Sequence, residues 1–125
     1  MDERDPLTYE VIGAAIEVHR LMGPGLLESV YQLCMEHELT LRGVEFKAQT
    51  KLLLEYKGKV FDHEFLKLDI HIPGKLIVEL KSVERLHPIH EAQLLTYMRL
   101  TKTHVGLIVN FNVPVLKDGI KRMVL

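Results

Sequence analysis

Three side chains in this sequence have the types and spacing to act together chemically: Asp69, Glu79 and Lys81. They lie in the run Lys67-Leu68-Asp69-Ile70-His71-Ile72-Pro73-Gly74-Lys75-Leu76-Ile77-Val78-Glu79-Leu80-Lys81. Leu68, Ile70 and Ile72 alternate with Lys67, Asp69 and His71, the pattern of a strand with one face in the core. Pro73-Gly74 breaks that pattern as a turn does. Leu76 to Leu80 is apolar except for Glu79, which fits a central strand buried on both faces. Glu79 and Lys81 are two apart and so point to one side of the sheet. If the first strand pairs with the second, Asp69 joins them. A carboxylate late in an apolar strand is costly to bury alone, and a metal ion with a nearby lysine would offset that cost. The plainer reading of Asp69 with Lys81 or Lys67 is a cross-strand ion pair.

The rest of the chain must position this patch. Asp5-Pro6 makes a helix start, and apolar residues from Leu7 to Met22 form a broad stripe that Gly23-Pro24-Gly25 ends. His19 lies near that break, as a helix-end residue or a phosphate contact. A second helix is expected from about Leu26 to Leu41, ended by Arg42-Gly43. Glu28 and Tyr31 share one of its faces; an acid in the first turn also suits the helix dipole without any further role. Val44 to Tyr56 reads as a strand or strand pair centred on Leu52, Leu53 and Leu54. Lys57-Gly58 is a hairpin turn, and Lys59 to Ile72 returns with a break around Asp62, His63 and Glu64. After the Glu79 strand come a loop from Ser82 to Pro88, a helix from about Ile89 to Leu100 and a buried strand from Val105 to Val109. A turn at Lys117-Asp118-Gly119 leads to a closing strand, Ile120 to Leu125. The strand–helix–strand crossover implies a parallel pair, hence a mixed β-sheet flanked by helices, an α/β fold.

Composition sets bounds on this reading. At 125 residues, with 47% hydrophobic and 26% charged, the chain is expected to form one globular domain over 1–125. Sixteen basic residues against seventeen acidic ones exclude a generic basic coat, so any polyanion needs a local patch, a metal or both. The single cysteine, Cys34, excludes an internal disulfide and sits in a helical run as a core or half-buried residue. Met1-Asp2-Glu3-Arg4-Asp5 lacks the apolar segment of a signal peptide. No apolar run approaches the roughly 20 residues of a membrane span. A cytoplasmic protein with no membrane partner is expected.

Asp69 on a strand, Glu79-Leu80-Lys81 on the next, and Gln93-Leu94-Leu95-Thr96-Tyr97 on the following helix form an ordered set. Gly25-Leu26-Leu27-Glu28-Ser29-Val30-Tyr31 opens a helix upstream. This arrangement resembles the PD-(D/E)XK nuclease superfamily, in the branch with glutamine and tyrosine on the helix after the catalytic strand. More narrowly it resembles the small bacterial GxxExxY proteins, whose motif is matched at Gly25, Glu28 and Tyr31. The resemblance extends to Val18-His19-Arg20 and Gly106-Leu107-Ile108-Val109-Asn110-Phe111-Asn112, and so covers nearly the whole chain.

The resemblance implies a restriction-endonuclease-like core and metal-dependent hydrolysis of phosphodiester bonds, in DNA before RNA. It implies that Asp69, Glu79 and the Leu80 carbonyl hold Mg²⁺ or Mn²⁺, hard cations suited to oxygen ligands. Lys81 would orient or help deprotonate the attacking water, and Glu28 would complete the acidic site. Gln93 and Tyr97, one turn apart, would contact the phosphate backbone or support the metal ligands, with His19 a further substrate contact. A homodimer would give two sites and a longer binding surface. The alternative is a non-catalytic binding or assembly module on the same fold, which the slightly acidic balance favours; the intact Asp69, Glu79 and Lys81 favour the enzyme. His87 and His90 have a spacing that could bind zinc, but no second ligand pair accompanies them. Lys102, His104, Lys117, Lys121 and Arg122 form either a basic strip for a nucleic-acid backbone or an ordinary solvated surface.

Overall fold

Asp5 caps the first helix as its type suggests. Its Oδ1 accepts from the Thr8 N–H at 3.2 Å, and Pro6 fills the first turn, where a missing N–H costs nothing. The computed structural model describes residues 5–61 and 66–125, and in it α1 spans Pro6–Met22. The break expected around Asp62, His63 and Glu64 lies outside the described residues. Val11, Ala14, Ala15 and Val18 form the buried stripe of α1, and Gly23 ends the helix at a φ of 72°. Helix α2 spans Glu28–Leu41 and buries Tyr31, Met35 and Leu39, each one turn from the last.

Among the described residues seven strands follow in two sheets: β1 (Lys47–Lys51), β2 (Leu54–Tyr56), β3 (Lys59–Phe61), β4 (Lys67–Ile72), β5 (Leu76–Lys81), β6 (Val105–Asn110) and β7 (Ile120–Val124). Helix α3, Pro88–Thr101, crosses between β5 and β6, which pair in parallel; every other pairing among the described residues is antiparallel. The main sheet has the order β1-β4-β5-β6-β7, while β2 and β3 form a hairpin of their own. The mixed sheet flanked by helices is therefore as expected, but Leu52 and Leu53 are not the centre of a strand. They link β1 to the separate hairpin. The closing strand pairs with β6 through a 3-10 turn at Leu116–Gly119.

Among the described residues two apolar clusters cover the sheet. On one face α1 and α2 pack over Ile70, Ile72, Leu76, Val78, Leu80, Leu107 and Val109. On the other, Leu94 and Met98 of α3 pack over Leu68, Ile77 and Ile108. Gly106 leaves the room that α3 needs, since a Cβ there would meet Met98 Sδ at 2.7 Å. The division corrects one sequence expectation. Leu68, Ile70 and Ile72 are all buried as their alternation predicts, but Leu68 packs with the α3 cluster whereas Ile70 and Ile72 pack under α1 and α2, so they do not share one face.

The start of α2 is tied down at several points. Tyr31 stacks on Phe111 with ring centroids 4.3 Å apart, donates its hydroxyl proton to the Gly23 carbonyl at 2.6 Å and accepts from the Leu26 N–H at 3.2 Å. Ser82, just after β5, donates to the Leu26 carbonyl at 2.5 Å. The tyrosine of the Gly25–Glu28–Tyr31 motif is thus a brace for the loop that aims Glu28. Tyr31→Phe keeps the stacking but strips two partners of their bond. It is expected to lower the unfolding free energy by about 1–2 kcal/mol, read by urea denaturation; unchanged stability would contradict this role.

Candidate active site

The β4–β5 ladder runs regularly through Ile72–Leu76, His71–Ile77 and Ile70–Val78, and the next pair in that register is Asp69 with Glu79. There the ladder opens. The Asp69 N–H faces Glu79 Oε1 at 3.4 Å instead of a strand carbonyl. The Asp69 carbonyl accepts from Gln32 Nε2 of α2 at 2.8 Å. The Leu80 N–H donates to Asp69 Oδ2 at 2.8 Å, so a side chain takes the place of a backbone partner. Across β4, Gln49 donates to Asp69 Oδ1 at 3.2 Å, from a backbone φ of 50° that non-glycine residues seldom adopt. Leu68 and Ile70, on either side of these exchanges, pack into the clusters on opposite faces.

Glu79 lies in the open fork, and its carboxyl is pushed up from 4.5 to about 8. Burial is the first cause and the Asp69 charge the second; Lys81 and the Asp69 N–H oppose them. Tyr97 of α3 is half-buried nearby, its hydroxyl raised by burial and then by the charges of Glu79 and Asp69. Lys81, half-buried, makes no ion pair with any described residue, so the plain Asp69–Lys81 bridge does not form.

Helix α2 builds the other wall. Glu28, Gln32 and Glu36, each one turn apart, line a groove of about 530 Å³ together with Ser29, Leu33, Gln49, Asp69 and Leu80. Gln32 is buried and donates to Glu36 Oε2 at 2.9 Å as well as to Asp69, fixing the helix to the fork. His90 enters from α3. Its Nδ1 accepts from the His87 N–H at 3.1 Å, leaving Nε2 to carry the proton of the neutral ring. Burial, then Lys81 and His87, hold its pKa below the usual histidine range, while Glu28 pulls it the other way.

The structure therefore brings Asp69, Glu79 and Tyr97 together, with Lys81, Glu28 and the Leu80 backbone around them. Gln93 is exposed one turn before Tyr97. His19 is placed elsewhere: its Nε2 bonds the Val113 carbonyl at 2.7 Å, and it lines a different groove with Arg20, Pro24 and Lys117. His87 and His90 form a helix-start contact, and no group of three or more His, Cys, Asp or Glu among the described residues is arranged around a metal.

The family model of the PD-(D/E)XK nuclease superfamily matches residues 5–123. The chain belongs to that superfamily. No curated protein and no solved structure matches it. The superfamily implies a divalent metal, and the donor set fits one. Two carboxylates face each other in a half-buried fork, neither has an ion-pair partner among the described residues, and burial and the Asp69 charge drive the Glu79 carboxyl towards protonation. Two hard oxygen donors with space left open suit Mg²⁺ or Mn²⁺, which keep several waters; their third ligand need not be a His, Cys, Asp or Glu side chain.

Gln32, Glu36 and Gln49 line the groove beside Asp69 but are not singled out by the sequence, and His90, whose charged neighbours are Lys81 and Glu28, stands out there only through its spacing from His87. A helix stripe of Glu28, Gln32 and Glu36 one turn apart was the available signal for the first two. Nothing in the sequence marks the left-handed backbone at Gln49.

The raised Glu79 carboxyl has a consequence for stability. Between pH 4.5 and about 8 the folded protein holds this proton more tightly than the unfolded chain, so stability falls as pH rises across that window. In EDTA, thermal unfolding should show this decline, no steeper than about 1.4 kcal/mol per pH unit for one proton. Glu79→Gln should flatten it. An identical slope in both proteins would place the titration elsewhere.

Proposed function

We propose that the protein is a metal-dependent nuclease that hydrolyses phosphodiester bonds of DNA. The observation that carries this reading is the Asp69–Glu79 pair, two acids facing each other at the open fork, in a chain of the nuclease superfamily. Asp69, Glu79 and the backbone carbonyl of Leu80 would hold Mg²⁺ or Mn²⁺. When bound, such an ion makes hydroxide available near neutral pH and neutralises charge on the phosphodiester.

The chain's own groups do the rest. The Leu80 N–H and Gln49 amide fix both oxygens of Asp69, so its carboxylate is held before substrate arrives. Lys81, two residues along the same strand face and unpaired with any described residue, orients the attacking water and stabilises charge growing on the phosphate. Tyr97 lies beside both acids and supports them or reaches the phosphate backbone, with Gln93 one turn away on the exposed side of α3. Glu28 borders the groove that contains Asp69 and completes the acidic wall.

Purified protein with Mn²⁺ or Mg²⁺ should nick plasmid DNA, and EDTA should stop it. Asp69→Asn and Lys81→Ala should each lower the rate by roughly 10²-fold or more with circular dichroism unchanged. Cleavage that survives either substitution would assign the activity to another site. Metal binding without turnover would fit the non-catalytic module instead.

A further inference from the structure

We propose that the β2–β3 hairpin is an arm that grips the phosphate backbone of a duplex and holds it across the Asp69–Glu79 fork. This rests on the nuclease reading of that fork and adds the element that binds the substrate. The β1–β4 ladder ends at Lys51–Lys67 and is prolonged by the Leu52 N–H donating to the Leu66 carbonyl at 2.9 Å. Beyond it the hairpin pairs Leu54 with Phe61, Glu55 with Val60 and Tyr56 with Lys59. The ribbon thus springs from the two strands that bear Gln49 and Asp69. Its base at Leu66 is three residues from Asp69, about 10 Å along a strand.

Among the described residues the hairpin's chief contacts are within itself, and Leu53, Tyr56 and Val60 are each more than half exposed. A two-stranded hairpin on its own is marginally stable in water. Positive φ at Lys57 (49°) and Gly58 (84°) makes the tight turn that suits the strand twist. Lys57 Nζ lies 5.5 Å from the centroid of the Tyr56 ring, and Lys59 Nζ lies 5.6 Å from that of Phe61. Cation–π contacts of this kind steady both the strands and the charges they display.

Charge complementarity names the occupant. From Lys47 to Lys67 the sequence has five lysines (Lys47, Lys51, Lys57, Lys59 and Lys67) against Glu55, Asp62 and Glu64, in a chain whose total is -1. A locally basic stretch in an acidic protein is the electrostatic footprint of a polyanion site. A two-stranded ribbon also matches the width of the DNA major groove, which favours a duplex over a single strand.

The test is fluorescence anisotropy with a labelled 30-bp duplex and the matching single strand, in EDTA so that cleavage plays no part. Salt is varied from 50 to 200 mM. Lys57→Ala/Lys59→Ala should weaken duplex binding roughly 10- to 100-fold at 100 mM salt and reduce the salt slope by about 2, with unchanged thermal unfolding. Lys75→Ala/Arg99→Ala removes the same charge at exposed positions outside the hairpin and should leave affinity near that of the parent. Equal losses in the two double variants, no loss in the first, tighter binding to the single strand, or no duplex binding by the parent would each overturn the proposal. So would a dimer that the hairpin substitutions dissociate without changing duplex affinity. Because binding is read without metal, absence of cleavage bears on the nuclease reading alone.

Discussion

The structure depends on one interruption: at Asp69 the ladder between β4 and β5 gives up its regular backbone pairing. Buried peptide groups must still be satisfied, and each group released here finds a defined partner. The Leu80 N–H goes to the Asp69 carboxylate, and the Asp69 carbonyl goes to Gln32 on α2. One break in the sheet therefore fixes an acid in place and fastens a helix to the site. It also leaves Glu79 facing Asp69 with no strand neighbour between them. A carboxyl in that position is held near neutral by burial and by its neighbour, a tension that a divalent cation would relieve.

Such an arrangement holds only if the surrounding parts are rigid. Tyr31 stacked on Phe111 joins α2 to the segment after β6, and Ser82 ties the end of β5 to the loop before α2. Asn110, buried at the end of β6, accepts from the Val83 and Asn112 N–H groups and donates to the Val83 carbonyl. Lys81 is clamped from the same side, its carbonyl accepting from the Phe111 N–H at 2.9 Å. The parallel β5–β6 pair thus holds the chain on either side of the Glu79–Lys81 segment, and α3 closes over it with Tyr97 and His90 on the side of the acids. Specificity of position comes from these hydrogen bonds, while the two apolar clusters supply the bulk of the burial.

Much of this was legible in the sequence because its cues are periodic. The apolar stripe of α1, the continuous run from Leu76 to Leu80 and the crossover through α3 each follow from spacing alone, and so do the shared face of Glu79 and Lys81. What spacing could not supply was the departure from regularity. Alternation in Lys67 to Ile72 reads as one regularly paired strand, whereas the pairing with β5 is interrupted at Asp69 and replaced by bonds with Gln49, Gln32 and Glu79, residues 10 to 37 positions away. The Leu52-Leu53-Leu54 run misled for a similar reason: hydrophobicity marked a strand centre, but the run bridges the sheet and an exposed hairpin. Tyr31 was legible as a motif position, yet its work as a brace depends on Gly23, Leu26 and Phe111, which only the fold brings together.

The most direct measurement of the central claim is anomalous scattering from a crystal soaked in Mn²⁺. The account requires one strong peak between the Asp69 and Glu79 carboxylates, within about 2.0–2.2 Å of an oxygen from each, the distance hard divalent ions of this size prefer. A crystal with no peak there, or with the ion instead between His87 and His90, would contradict it.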